Sequence, residues 1–157
     1  MLLIKKAIIT YVKYGDIFKI SGVTSYAHGC NCQGAMGKGI ALQFKERYPN
    51  MYLEYKKRCK EGKFILGDVF EYNQENVNIF NLATQKSWRT SADIAAIEKS
   101  FETMLHLATE QEINKIALPK IGAGLGGLNW VNVKTIIELV ASNYPKINLV
   151  IVENFKE

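Results

Sequence analysis

The 157-residue chain predicts an α/β fold in which helices sandwich a partly parallel sheet. Three observations point there. Short β-branched runs alternate with stretches of helical periodicity. The last run, "INLVIVENF" (147–155), is apolar almost throughout, as a strand buried on both faces requires. Two glycine-rich stretches, "NCQGAMGKGIALQF" (31–44) and "PKIGAGLGGLNW" (119–130), each sit between an expected strand and an expected helix.

The elements follow in order. "AIITYVK" (7–13) is short and β-branched and ends at the turn "YGD". "SYAHGCN" (25–31) is a second strand running into the first glycine loop. "GIALQFKERYP" (39–49) reads as a helix opened by glycine and closed by Pro49. A basic amphipathic helix follows over about 50–60. "ILGDVFEY" (65–72) and "VNIFNLAT" (77–84) pair as strands across the polar "NQEN". Residues 91–109 give the clearest helix. Ser91 or Asp93 caps it, and Ile94, Ile97, Phe101, Met104, Leu105 and Ala108 share one face. "KIALP" (115–119) is a buried strand, "WVNVKTIIELVASNY" (130–144) a helix striped by Val133, Ile136, Ile137 and Val140, and 147–155 the last strand.

Composition narrows the class. The chain is 48% hydrophobic and 22% charged, with net charge +5 and pI about 9.0. These values fit one soluble domain with mild attraction for anions, not a dedicated nucleic-acid protein. Cys30, Cys32 and Cys59, with two histidines, do not make a zinc site and read as reduced thiols of an intracellular, cytoplasmic protein. The opening "MLLIKKAIITYVKYGDIF" is too charged for a signal-peptide core. No apolar run approaches ~18 residues, so no membrane partner is expected. Nothing points to an obligate dimer, and the chain is read as a monomer. No metal and no cofactor are implied.

In a parallel sheet, loops leaving the carboxyl ends of strands gather on one edge. Strand, glycine loop and helix start together cradle phosphate, because helix N-termini present free N–H groups and glycine permits close approach. Two such loops facing each other suit a diphosphate; each alone could be a simple tight turn. Familiar phosphate motifs fail. A P-loop would need glycine at Cys32 and Ser or Thr at Gly39. "GAGLGG" (122–127) lies too near the C-terminus for a second βαβ half.

Together these residues resemble a macrodomain, the ADP-ribose-binding module. The resemblance spans essentially the whole chain, 1–157, and rests on "YVKYGDIF" (11–18), "AHGCNCQGAMGKGIALQFKERYP" (27–49), "NLATQKSW" (81–88), "LPKIGAGLGGLNW" (118–130) and "LVIVENF" (149–155). It implies a three-layer α/β/α fold with a central mixed, largely parallel sheet. It also implies ADP-ribose, or a nucleic acid or protein carrying it, as partner. Asp16 matches the acid that accepts from the adenine amino group, Ile17 a backbone contact beside it, and Asn31 the distal-ribose asparagine. Gly37, Lys38, Gly39 and Ile40 match the first phosphate loop. Gly122, Ala123, Gly124, Leu125 and Gly126 match the second. Phe155, or Asn154 beside it, lies where the family flanks adenine, and an aromatic there could equally close the core.

The first loop is similar to two branches: ADP-ribose 1''-phosphate phosphatases, and glycohydrolases that remove ADP-ribose from DNA or protein. The glycohydrolase branch has a lysine directly after the threonine of "ATQKSWR", where this chain has Gln85 and then Lys86. Its eukaryotic members carry an aspartate where Gly126 stands. The "HGCNC" arrangement is similar to yeast-type phosphatases and makes His28 a candidate acid or base, the alternative being a histidine satisfied within its strand. His106 reads as structural. The basic stretch from Lys45 to Lys63, seven Lys/Arg against three Glu, is a solvated helix face or a nucleic-acid contact. Trp88 and Arg89 either flank the substrate beyond the distal ribose or simply pack. The favoured expectation is a metal-independent phosphatase acting on ADP-ribose 1''-phosphate, with His28 and Asn31 in the site. The alternatives are a glycohydrolase using Lys86 and a non-catalytic ADP-ribose reader.

Overall fold

Parallel strands cannot be joined by a tight hairpin, so each neighbouring parallel pair needs a crossover. The computed structural model, which describes residues 7–157, meets this requirement with one six-stranded sheet. Its strands are β1 (Ile9–Val12), β2 (Ser25–Asn31), β3 (Val69–Gln74), β4 (Val77–Gln85), β5 (Lys115–Pro119) and β6 (Asn148–Val152). They lie side by side in the order β1-β6-β5-β2-β4-β3. All neighbours run parallel except β3 and β4, which form an antiparallel pair joined by a short turn. Helices α1 (Gly39–Arg47), α2 (Pro49–Lys60), α3 (Ile94–Glu110) and α4 (Trp130–Ala141) complete the chain.

Alternation along the strands divides the core into two layers. Ala27, Phe80, Leu82, Ile116, Leu118, Leu149 and Ile151 pack with α3 and α4. Their neighbours Tyr26, Cys30, Ile79, Ala83, Ala117, Val150 and Val152 pack with α1 and α2. Burial on both faces accounts for the unbroken apolar strands, and the three-layer mixed architecture is the one expected.

The differences from expectation are local. Pro49 opens α2 instead of ending α1. The first turn of a helix is where a missing N–H costs nothing, and Tyr48 N closes α1 on Phe44 O at 2.9 Å. Strand β3 starts at Val69, because residues 65–68 turn, with Asp68 Oδ2 accepting from Ile65 N at 2.9 Å. Asp93, not Ser91, caps α3, leaving Ile94 41% exposed at its outer start. Strand β6 stops at Val152. Beyond it the chain bends, so that Phe155 bridges Gly15. A short 3-10 turn, Ile17–Lys19, has no clear signal in the sequence; Asp16 Oδ1 accepts from Phe18 N at 2.9 Å and starts it. Residues 1–6 of the charged opening stretch lie outside the described residues. Among the described residues, no helix is long and apolar enough to cross a membrane.

Candidate functional site

The carboxyl ends of β6, β5, β2 and β4 open onto one cleft of about 630 Å³. Its two long walls are the glycine loops. Asn31, Gly37, Lys38 and Ile40 form one wall, and Gly122, Gly124, Leu125 and Gly126 the other. The loops approach closely: a Cβ on Gly39 would stand 3.4 Å from Leu125 Cδ1. Phe155 closes the β6 end, while Gln85 and Trp88 stand at the β4 end. Gly39 and Ala123 belong to the same loops but do not face the cleft.

The first wall is held by side chains. A register shift between Cys30 and Asn31 sets Asn31 opposite Gln85, the kind of irregularity that re-aims a side chain at a strand end. Asn31 Oδ1 accepts from Gln33 N at 3.0 Å and Ala35 N at 3.2 Å, and Nδ2 donates to Ala35 O at 2.8 Å. Tyr52 OH donates to Gly34 O at 3.1 Å. The start of α1 has no side-chain cap, and Lys38, Ile40 and Ala41 lie on the cleft wall. The helix thus offers uncapped N–H groups to a bound anion.

The second wall is held by backbone. Leu128 N donates to Gly122 O and Ala92 N to Gly126 O, both at 2.9 Å. Gly122 has φ 75°. Gly126 approaches so closely that a Cβ there would lie 2.7 Å from Gly122 O. Helix α4, unlike α1, is capped by its own Asn129, which accepts from Val131 N at 2.9 Å. The second loop therefore presents its own peptide groups and not a free helix start. Lys120, like Lys38, lines the cleft.

At the β6 end, Asp16 and Ile17 lie beside Phe155, through the Gly15–Phe155 bridge, but off the cleft wall. Ile17 is a core residue. Asp16 Oδ2 is buried without a hydrogen-bond partner; its nearest cation, Lys19 Nζ, stands 3.9 Å away on an exposed side chain. A buried acceptor in that state is unsatisfied. The other oxygen, Oδ1, is committed to the turn through Phe18 N.

His28 corrects an expectation. Its ring is fully buried, stacked on Phe44 at 4.1 Å, with Nε2 donating to Asn81 Oδ1 at 2.6 Å. Asn81 in turn donates to Phe70 O. Strand alternation sends His28 into the α1/α2 layer and away from the cleft. Burial pushes its pKa down to about 4, so the imidazole is neutral and packed, and it cannot reach a substrate. Lys86 also departs from expectation: it is exposed and off the cleft wall. Gln85 takes the inward place and donates through Nε2 to Thr90 O.

Sequence reasoning missed Lys120, Thr84 and Glu153 on the wall. Lys120 lies inside the quoted glycine stretch and was legible there. Glu153, which accepts from Trp130 Nε1 at 2.7 Å, gave no signal. Trp88 stands at the mouth, 59% exposed, with the Arg89 guanidinium 4.7 Å from its ring. All three cysteines are free, and burial raises each thiol above its ordinary value, Cys32 to about 11. Among the described residues, no cluster of His, Cys, Asp or Glu could hold a metal ion.

An α/β/α sandwich with two glycine loops facing across the carboxyl edge of its sheet belongs to the class of α/β domains that open a ligand cleft at that edge. The Macro domain family model matches residues 27–137, and the chain belongs to the macrodomain family. It is 34% identical over 141 residues to a DNA ADP-ribosyl glycohydrolase of Mycobacterium tuberculosis, covering 87% of this chain and 40% of that protein. It is 30% identical over 146 residues to an ADP-ribose 1''-phosphate phosphatase of Candida albicans, covering 83% of this chain and 92% of that one. The solved macrodomain of Mycobacterium tuberculosis DarG superimposes with TM-score 0.86 at 34% identity, covering 94% of this chain and 98% of that domain. The chain thus spans about 40% of the length of the first glycohydrolase relatives.

Proposed function

We propose that the cleft binds ADP-ribose lengthwise and that the protein hydrolyses a substituent at C1'' of the distal ribose. One observation carries this: two amide-rich walls meet across a single cleft that runs from Phe155 to Trp88. The strand order supports the following arrangement of the parts. Adenine lies at the β1/β6 end, where Asp16 Oδ2 is a buried acceptor without a partner. The diphosphate lies between the loops, facing N–H groups, Lys38 and Lys120. The distal ribose lies by Asn31, with C1'' directed toward Gln85.

The favoured reaction is removal of phosphate from ADP-ribose 1''-phosphate. Water adds at C1'' as the C1''–O bond to phosphate breaks, leaving a hydroxyl on C1'' of ADP-ribose and releasing hydrogen phosphate, which carries away the water's proton; the loop amides hold the diphosphate in place meanwhile. The presence of Gln85 on the wall, with Lys86 outside it, argues against a lysine nucleophile. With His28 in the core, no imidazole assists. Incubating the purified protein with ADP-ribose 1''-phosphate and measuring released phosphate tests the reading. Release at a rate that falls when Asn31 is replaced is expected; no release under saturating substrate contradicts it.

The second reading is hydrolysis of ADP-ribosyl groups from DNA, favoured by the exposed Trp88 with Arg89 against its ring. Such a pair stacks on a base and meets a phosphate. Turnover of ADP-ribosylated oligonucleotide that is abolished in Trp88→Ala, with phosphate release unaffected, would select it. Turnover of neither conjugate, with ADP-ribose still bound, leaves a reader.

A further inference from the structure

Tyr55 is fully buried on α2, its ring edge-on to Phe64 at 5.5 Å. Its hydroxyl reaches the end of β2, within 2.7 Å of Asn31 O and 3.0 Å of Asn31 Oδ1. Those acceptors make it the donor, and burial raises its pKa, so the proton stays in place. Asn31 Oδ1 thus faces three donors: Gln33 N, Ala35 N and Tyr55 OH. A carbonyl oxygen has two lone pairs, so it has no capacity left for a ligand. The amide orientation is also fixed, because backbone N–H groups only donate and a flipped amide would set NH₂ against two of them. Nδ2 spends one hydrogen on Ala35 O. One N–H remains uncommitted, on a residue of the cleft wall.

We infer that Tyr55 is a positioning residue: its one hydroxyl proton, shared between Asn31 O and Oδ1, holds the end of β2 in place so that the donor-only Asn31 amide is aimed at the distal part of the ligand, and this sets the preference for ADP-ribose over ADP. This rests on the ADP-ribose reading above. Asn31 then recognises an oxygen that accepts, such as a ribose hydroxyl or an oxygen on C1''. It cannot accept a proton from an attacking water. The lock acts through the loop: Tyr52 OH on Gly34 O and Tyr55 OH on Asn31 tie residues 31–35 to one helix.

The test is calorimetric titration of the full chain with ADP-ribose and with ADP, which lacks the distal ribose. Tyr55→Phe keeps the ring and removes only the hydroxyl. The expected result is a loss of about tenfold in ADP-ribose affinity, in the range of one hydrogen bond, with ADP affinity within about twofold of wild type. Asn31→Asp, which keeps an acceptor toward the three donors but has no N–H, gives a similar loss and serves as the second variant. A Tyr55→Phe protein that keeps its preference for ADP-ribose overturns the inference alone. So does one that loses affinity for both ligands by the same factor, since that reports general loosening. A wild-type protein that binds neither ligand overturns the ADP-ribose reading and this inference with it.

Discussion

The two glycine loops face each other across one cleft but are built in opposite ways. Residues 32–38 hang on side chains: Asn31, Tyr52 and Tyr55 hold that loop from below. Residues 120–127 hang on peptide hydrogen bonds, Gly122 O accepting from Leu128 N and Gly126 O from Ala92 N. The difference has a physical consequence. A side-chain-held loop can be retuned by single substitutions that leave its backbone alone. A backbone-held loop tolerates almost nothing where it approaches itself, because no rotamer can move aside.

The sharpest way to break the second loop is Gly122→Ala. The new methyl requires φ 75° and meets Ile97 Cδ1 at 2.5 Å, in a fully buried side chain. Left-handed backbone and overpacking together cost about 4 kcal/mol. Thermal denaturation should show that loss, together with weakened ADP-ribose binding. Gly126→Ala should destabilise the same loop, because its Cβ would lie 2.7 Å from Gly122 O.

The platform under the first loop should respond to pH instead. His28 is held neutral, its pKa pushed from 6.5 to about 4 by burial. The unfolded chain takes up a proton between those values and the folded chain does not. Stability is therefore complete above about pH 6.5 and falls as pH drops toward 4. By linkage the loss approaches about 3 kcal/mol. Urea denaturation across that range should show the decline, and His28→Gln should flatten it.

Asn31→Ala comes next, removing the hub of the first loop at a cost of about 2 kcal/mol. Denaturation midpoints report it, and Gly122→Ala should exceed it. The smallest effects belong to the two cleft lysines. Lys38→Ala and Lys120→Ala should each weaken ADP-ribose binding about threefold, more at low salt than at high salt, with no change in stability.

Much of this was legible in the sequence, for identifiable reasons. Strands β2 and β5 appear with their expected bounds: β5 is a short apolar run that stops at Pro119, and β2 runs up to the glycine loop that begins after Asn31. The loops converge because a parallel sheet puts their parent strands, β2 and β5, side by side. His28 was misplaced because the motif that names it carries no direction; only the pleat decides which face a strand residue meets. Lys86 and Gln85 differ by one residue, and the end of β4 settles that Gln85 faces inward. Tyr55 was invisible as a site residue, since a tyrosine on the apolar stripe of a helix looks like any core residue until its hydroxyl partner is known.

Amide chemical shifts followed by NMR during an ADP-ribose titration report on both walls of the cleft at once. Residues 36–40 and 122–126 should shift together, with one saturation curve, because both walls close on the same diphosphate. Shifts confined to one loop, or none at millimolar ligand, would contradict that joint closure.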